Sequence, residues 1–119
     1  MINRCSTCFC STSWGGNWIF CACSSRCAWA VADVADFDAL KEAADKCVRL
    51  FGGFDTWVNN AGVSIYGPIR ETGLDDQRRL FETNYWGVVN GSLVAVEHLR
   101  GAGGGGAIVN VGSILGDAP

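Results

Sequence analysis

The chain has 119 residues, of which twelve are acidic and nine are basic, so its net charge at neutral pH is −3. This acidic balance argues against a nucleic-acid partner, which would require a basic surface. No apolar run approaches the ~20 residues that a membrane-spanning helix needs, so no membrane partner is expected either.

Residues 1–28 form a leader whose composition differs from that of the rest of the chain. The first thirty residues contain two arginines and no acid. They also hold six of the seven cysteines: Cys5, Cys8, Cys10, Cys21, Cys23 and Cys27. Such a break in composition suggests two origins. We therefore predict that the leader lies outside the fold, as a shifted reading frame or a misplaced start would explain.

The cysteines of this leader admit other interpretations. Cys5 and Cys8 have the spacing of one zinc knuckle, but structural zinc sites usually combine two such pairs, and the cysteines after residue 20 are irregularly spaced. A disulfide framework would require an oxidising compartment. We predict no metal site, and keep a cysteine-rich arm that binds metal or docks a partner as the alternative.

A short strand and an amphipathic helix follow the leader. Residues 29–32 predict the strand, and Asp36 can cap the helix. Apolar residues then recur at helical spacing: Leu40, Ala43, Ala44, Cys47, Val48 and Phe51. Gly52-Gly53 predicts the end of this helix. One of its faces should cover a sheet, with Cys47 as a small core hydrophobe rather than a reactive thiol.

The most informative segment is Asn59-Asn60-Ala61-Gly62, which directly follows the apolar run 54–58. It predicts a parallel strand whose carboxyl end faces a nucleotide. Small residues let the backbone approach a ligand there, and asparagine amides supply directed donors and acceptors. An ordinary turn is the alternative, because asparagine and glycine both tolerate left-handed backbone conformations.

The second half of the chain predicts a long helix and another strand. Thr72, with Asp75 three residues later, resembles a capping box at the start of a helix that runs to about Leu99. One stripe of this helix carries Phe81, Tyr85, Val88, Ser92 and Val96. The glycines between 101 and 106 predict a helix stop and a flexible connection. A strand at 107–112 then leads to Ser113.

Three motifs in this order resemble the short-chain dehydrogenase/reductase family: Asn59 to Gly62 after a strand, Asn84 within a helix, and Ser113 at a strand end. The resemblance covers about residues 29–119. It implies an α/β fold with an incomplete Rossmann-like, doubly wound parallel sheet. Segments 29–32, 55–59 and 107–112 would be strands three, four and five. Strands one and two are missing from this assignment, so the strand at 29–32 is expected to lack a neighbour.

The resemblance also implies cofactor contacts. Asp33 and Val34 resemble the family's pair at the adenine, in which the carboxylate meets the base and the apolar side chain packs beside it. Asn60, Ala61 and Gly62 would border the cofactor, which is NAD or NADP. Both cofactors stay open, because the residue that selects between them normally follows the second strand of the family fold.

Two residues match catalytic positions of the family. Asn84 resembles the helix asparagine that helps to hold the catalytic lysine through a water-linked relay. Ser113 resembles the serine that hydrogen-bonds the substrate carbonyl and steadies the oxyanion. The family also needs a tyrosine as general acid and base, with a lysine four residues later that lowers the tyrosine's pKa. Neither Tyr66 nor Tyr85 has that lysine.

The family's Gly-rich phosphate turn is also not found in residues 1–28. We therefore expect a central fragment of the family domain, inactive as it stands and a poor binder of NAD or NADP on its own. The implied parent is an NAD(P)-dependent oxidoreductase of the cytoplasm, moving hydride between nicotinamide and a small carbonyl or alcohol. The resemblance further implies a homo-oligomer that packs through the helix at about 74–99.

Overall fold

A computed structural model describes residues 7–13, 16–23, 26–103 and 105–114, with the side chains described from residue 28 onward. Its elements in chain order are β1 (Thr7–Ser13), β2 (Gly16–Cys23), β3 (Arg26–Val31), α1 (Phe37–Phe51), β4 (Thr56–Asn59), α2 (Leu74–Phe81), a π-helical turn (Glu82–Trp86), α3 (Gly87–Gly101) and β5 (Ala107–Asn110). The strands form one sheet of order β3-β2-β1-β4-β5.

The sheet is partly parallel. β4 pairs in parallel with both β1 and β5, whereas β2 runs antiparallel to β1 and to β3. The predicted strands at 29–32, 55–59 and 107–112 correspond to β3, β4 and β5. They hold the places expected for strands three, four and five.

The expectation that the strand at 29–32 lacks a neighbour was wrong. β3 pairs along its whole length with β2, from Arg26 opposite Cys23 to Val31 opposite Trp18. The physical reason is local: residues 7–23 contain two Thr, two Phe, two Trp and one Ile, which suit pleated strands, and an antiparallel hairpin needs only a short turn. The domain boundary near residue 29 stays a prediction.

Helix α1 forms as its sequence predicts. The Oδ1 atom of Asp36 accepts hydrogen bonds from the backbone N–H groups of Asp38 and Ala39, at 3.0 and 3.1 Å. Gly52 ends the helix in the left-handed conformation, with φ of 78°, and its N–H bonds to the carbonyl of Val48. The buried side chains of α1 are Leu40, Ala43, Ala44, Cys47 and Phe51. Cys47 is a core residue, as predicted.

The second helical segment differs from its prediction in two ways. It begins after Gly73 without a side-chain cap, and the Oγ1 of Thr72 instead contacts the carbonyl oxygen of Pro68 at 3.4 Å, so the capping-box interpretation was wrong. Phe81 and Tyr85 lie on its exposed side, at 63% and 56% exposure. The buried face is Thr83, Gly87, Gly91, Val94, Ala95 and Leu99. Small residues on that face let the helix approach the sheet closely.

The core lies between the sheet and the two long helices. α1 contacts β2, β3 and α3, and α3 contacts β4 and β5. The buried apolar residues are Ala32, Val34, Leu40, Ala43, Ala44, Cys47, Phe51, Phe54, Trp57, Val94, Ala95 and Leu99. A Cβ atom on Gly91 would lie 2.2 Å from the Oδ1 of Asn59, so only glycine allows this approach of α3 to β4.

Candidate active site

One pocket at the carboxyl ends of β4 and β5 gathers residues from three separate segments of the chain. Its volume is about 440 Å³. Its lining consists of Asn60, Ala61, Gly62, Val63, Ser64, Asn84, Val88, Val111, Gly112 and Ser113. Five of the seven predicted site residues therefore meet here. They meet because parallel strands present their carboxyl ends at the same edge of a sheet.

Asn59, which sequence reasoning did not assign to the site, fixes the end of β4 beneath this pocket. Its side chain is 6% exposed. Its Oδ1 accepts a hydrogen bond from the indole Nε1 of Trp57 at 2.7 Å, and its Nδ2 donates to Asn110 Oδ1 at 2.8 Å and to Ser92 Oγ at 3.1 Å. The available signal was the i, i+2 spacing of Trp57 and Asn59, which puts both side chains on one face of the strand.

Asn84 lies in the π-helical turn and holds the wall of the pocket. Its Oδ1 accepts from the backbone N–H of Val63 and its Nδ2 donates to the carbonyl of the same residue, both at 2.8 Å. The side chain thus satisfies both backbone groups of Val63, much as a neighbouring strand would. The π-helical turn interrupts the helix at the residue that makes this contact, and such turns are frequent at functional sites.

Ser113 reaches the pocket because the pairing of β4 and β5 continues beyond the two strands. The backbone N–H of Val111 donates to the carbonyl of Asn59 at 2.9 Å. This bond carries Gly112 and Ser113 along the end of β4. The resulting wall presents hydroxyl and amide groups on an otherwise apolar lining, a donor set suited to an uncharged carbonyl or carboxamide.

Asp33 and Val34 do not line this pocket. They follow β3, where Asp33 Oδ2 lies 2.7 Å from the Nη2 of Arg79 and Oδ1 accepts from the N–H of Ala35 at 3.0 Å. Val34 is buried in the core against Gly87. The sequence did not predict that Arg79 and Asn90 contact this turn, because both residues lie far from it in the chain.

Other classes of site have less support. Among the residues that the structure describes, no group of three or more His, Cys, Asp or Glu side chains is arranged to hold a metal ion. The side chains of the leader cysteines, on which the metal alternative depends, lie outside that description. Within the same described part of the chain, no helix has both the length and the apolar character to cross a membrane.

Comparison with known proteins identifies the family. The family model described as short chain dehydrogenase matches residues 20–119. The chain belongs to the short-chain dehydrogenase/reductase family. The match begins within β2, earlier than the resemblance read from the sequence motifs. This membership confirms the family predicted from Asn59 to Gly62, Asn84 and Ser113.

Curated relatives of this family are longer than the chain. An uncharacterized oxidoreductase of Bacillus subtilis, YxnA, is 45% identical over 89 residues, which are 75% of this chain and 25% of the relative. The trans-4-hydroxycyclohexanecarboxylate dehydrogenase of Sinomonas cyclohexanicum is 36% identical over 84 residues, or 71% of this chain and 32% of that protein. The chain thus spans about a quarter to a third of such relatives.

Solved structures of family members share the fold. A short-chain dehydrogenase/reductase from Serratia marcescens is 40% identical, with a TM-score of 0.61 over 69% of this chain and 36% of that one. ElxO, solved with NADP bound, is 36% identical, with a TM-score of 0.65 over 73% of this chain and 35% of that one. The chain therefore has part of a Rossmann-like fold, as predicted.

Proposed function

We propose that this chain forms the central wall of a nicotinamide-dependent oxidoreductase site that acts on a small carbonyl or alcohol. The observation that carries the proposal is the convergence of Asn60, Gly62, Asn84 and Ser113 on one pocket from three segments. The bound nicotinamide supplies or accepts the hydride, and the chain's own residues bind and orient the reactants.

Each residue has a distinct role in this proposal. The Ser113 hydroxyl donates a hydrogen bond to the substrate oxygen and stabilises the negative charge that develops on it. Asn60, Ala61 and Gly62 border the nicotinamide half of NAD or NADP, where the small side chains leave room for the ring. Asn84 is a positioning residue, because its amide holds Val63 in the pocket wall.

Asp33 and Val34 serve the adenine end of the same cofactor. The Asp33 carboxylate is partly exposed beyond β3, whereas Val34 packs into the core. A carboxylate is a strong acceptor for an exocyclic amine, so its chemistry fits adenine. ElxO, which was solved with NADP, and the dehydrogenase from Sinomonas cyclohexanicum, whose name gives a cyclic hydroxy acid, support this class of cofactor and substrate.

This chain has no tyrosine with a lysine four residues later to act as the general acid and base of the reaction. A tyrosine needs a nearby cation to titrate near neutral pH, and no lysine follows Tyr66 or Tyr85 by one helical turn. We therefore propose weak cofactor binding without turnover for this chain, and a cytoplasmic location by the same family reasoning.

Nuclear magnetic resonance can separate binding from turnover. We expect NADH or NADPH to shift the backbone amides around Asn60 to Gly62 and Ser113, because these residues border the nicotinamide. We expect no oxidation of cofactor with a panel of ketones above that of a Ser113→Ala variant. Unshifted pocket amides would contradict the proposed site, and Ser113-dependent oxidation would contradict the proposed inactivity.

We also propose that a second copy of the chain packs against the helical segment 74–101. Its exposed side carries the large apolar residues Phe81, Tyr85 and Leu93, which are four and eight residues apart and therefore lie near one stripe of the helix. Sedimentation should show a concentration-dependent dimer that Tyr85→Lys abolishes. Tyr66→Lys is the matched control, because Tyr66 is even more exposed but lies outside this helix. Equal effects of the two variants would contradict the interface.

A further inference from the structure

Arg79, on α2, links this helix to the turn that follows β3. Its Nη2 lies 2.7 Å from the Oδ2 of Asp33, although 46 residues separate the two in the chain (79 − 33). The other carboxylate oxygen, Oδ1, accepts the N–H of Ala35 at 3.0 Å. The two oxygens of Asp33 are thus held by different partners, which fixes the orientation of the carboxylate plane.

Two more residues of the same helical segment hold the turn. The Nδ2 of Asn90 donates to the carbonyls of Val34 and Ala35, each at 3.2 Å. A Cβ on Gly87 would come within 2.6 Å of the Val34 side chain, so the helix and the turn are in close contact there. Asn90 and Gly87 hold the backbone and the apolar side chain of the turn. Arg79 holds the carboxylate itself.

We propose that Arg79 is a positioning residue for adenine recognition, acting through Asp33. The inference rests on the proposed function, in which the Asp33 carboxylate meets the base. A carboxylate offers about four lone-pair directions, and the contacts to Arg79 and Ala35 use two of them. Because the guanidinium of Arg79 holds the carboxylate of Asp33 in one orientation, the remaining acceptor directions stay available for the exocyclic amine of adenine.

A purely structural role for this ion pair predicts a different outcome. The side chains of Arg79 and Asp33 are 50% and 38% exposed, and ion pairs at such positions contribute little to folding. The adjacent Arg78 provides a matched comparison, since it makes an equally short contact of 2.8 Å with Asp75. That second pair is local to α2 and does not touch the turn after β3. Removing either arginine should therefore affect stability alike, but only Arg79 should affect base selection.

The test compares AMP with IMP, which carries an oxygen in place of the exocyclic amine. Titrations followed by nuclear magnetic resonance on the full chain give both dissociation constants. We expect AMP to bind about tenfold more tightly than IMP, as one hydrogen bond to a charged group would give. Arg79→Ala should reduce this ratio to about one. Arg79→Lys should restore it in part, because an ammonium keeps the charge and loses the planar fork. Arg78→Ala should leave it unchanged.

Amide hydrogen exchange gives a second readout that needs no nucleotide. Arg79→Ala should speed exchange at Ala35, whose N–H bonds to Asp33, because the carboxylate loses its second anchor. Exchange at Ala39, whose N–H bonds to Asp36 in the neighbouring helix cap, should not change.

The outcomes separate this inference from the proposed function. An unchanged AMP-to-IMP ratio in Arg79→Ala, or equal binding of the two nucleotides by the unsubstituted chain, overturns the role of Arg79. The proposed function falls only if NADH or NADPH also leaves the amides around Asn60 to Gly62 and Ser113 unshifted.

Discussion

The indole Nε1 of Trp57 donates a 2.7 Å hydrogen bond to the Oδ1 of Asn59 inside the interface between β4 and α3. Trp57 is fully buried, so its N–H has no access to water. The Nδ2 of Asn59 donates further hydrogen bonds to Asn110 at the end of β5 and to Ser92 on α3. A single amide therefore links β4 and β5, the strands that lead to Gly62 and Ser113, with α3, the helix that follows the π-helical turn of Asn84.

Asn59→Leu should destabilise the chain strongly. It removes the acceptor of Trp57 and leaves a buried donor unpaired, which costs about 1–3 kcal/mol. Trp57→Phe removes the donor of the same bond. The free-energy cost of the double variant should therefore be smaller than the sum of the costs of the two single variants, because the bond is lost only once. Urea unfolding of both single variants and the double variant measures this coupling. Additive costs would show that the bond does not contribute.

Gly91→Ala should destabilise the chain although alanine favours helices. The added Cβ would lie 2.2 Å from Asn59 Oδ1 and 3.0 Å from Trp57 Nε1, so α3 would have to move away from β4. We expect a net cost of about 1–3 kcal/mol, the usual penalty of overpacking. Gly101→Ala is the control, because a Cβ there meets no atom within 4 Å. In thermal unfolding, the melting temperature of Gly91→Ala should therefore lie below that of the unsubstituted chain, and that of Gly101→Ala should be equal to it or higher.

Thr83→Val should stabilise the chain. Thr83 is buried in the π-helical turn, and its Oγ1 has no hydrogen-bond partner within the described part of the structure. Valine has nearly the same shape without the unpaired hydroxyl, so we expect a gain of about 1 kcal/mol. Thr83→Ser keeps the hydroxyl and removes a methyl group, and should destabilise. A lower free energy of unfolding for Thr83→Val would reveal a partner for the hydroxyl.

Asn84→Asp should loosen the pocket wall while leaving the fold intact. The carboxylate can still accept from the N–H of Val63 but cannot donate to its carbonyl, which Asn84 Nδ2 now does at 2.8 Å. We expect a cost of about 0.5–1.5 kcal/mol, typical of one hydrogen bond. Asn84→Ala removes both bonds and should speed amide exchange at Val63 more than Asn84→Asp does. Equal exchange rates in all three proteins would contradict this role.

The ion pair between Lys41 and Glu97 should stabilise the packing of α1 on α3 over a defined pH range. Its 2.9 Å hydrogen bond and the charge of Lys41 lower the pKa of Glu97 below its ordinary 4.5, and the same contact raises the pKa of Lys41 above 10.5. The Glu97 contribution is therefore present above pH 4.5 and lost as pH falls through the lowered value. The Lys41 contribution is present below pH 10.5 and lost as pH rises through the raised value.

Glu97→Gln should accordingly reduce stability slightly near neutral pH and have no effect at strongly acidic pH. The difference should shrink in high salt, because both side chains are exposed. Glu71→Gln is the control, since Glu71 lies 3.8 Å from Arg70 in a looser exposed pair. Urea unfolding across pH at two salt concentrations measures both effects. A Glu97→Gln difference that persists at acidic pH would exclude this ion pair as its source.

Local signals in the sequence predicted local structure well. Asp36 caps α1 and Gly52 ends it, because the capping atoms lie within a few residues of the groups that they satisfy. The capping interpretation of Thr72 failed for a related reason. Several nearby groups compete for such a hydroxyl, and the carbonyl of Pro68 is its partner in the structure. Spacing alone does not decide that competition.

The positions of Asn60, Gly62 and Ser113 at strand ends were also predictable, because parallel strands share a carboxyl edge. Apolar spacing did not reveal which side of the helix 74–101 is buried. Phe81 and Tyr85 are apolar yet exposed, while Gly87 and Gly91 are buried because no larger side chain fits against Val34 and Asn59. Close approach depends on the distance between elements, which no local pattern encodes.

By itself, the sequence determined the family, the helix caps and the strand ends of the candidate site, since these follow from neighbouring residues and from the direction of parallel strands. Only the tertiary structure decided that Trp57, Asn59, Asn110 and Ser92 form one buried network, that β2 covers the edge of β3, and that Arg79 holds Asp33. These contacts join residues distant in the chain, and packing alone brings them within bonding distance.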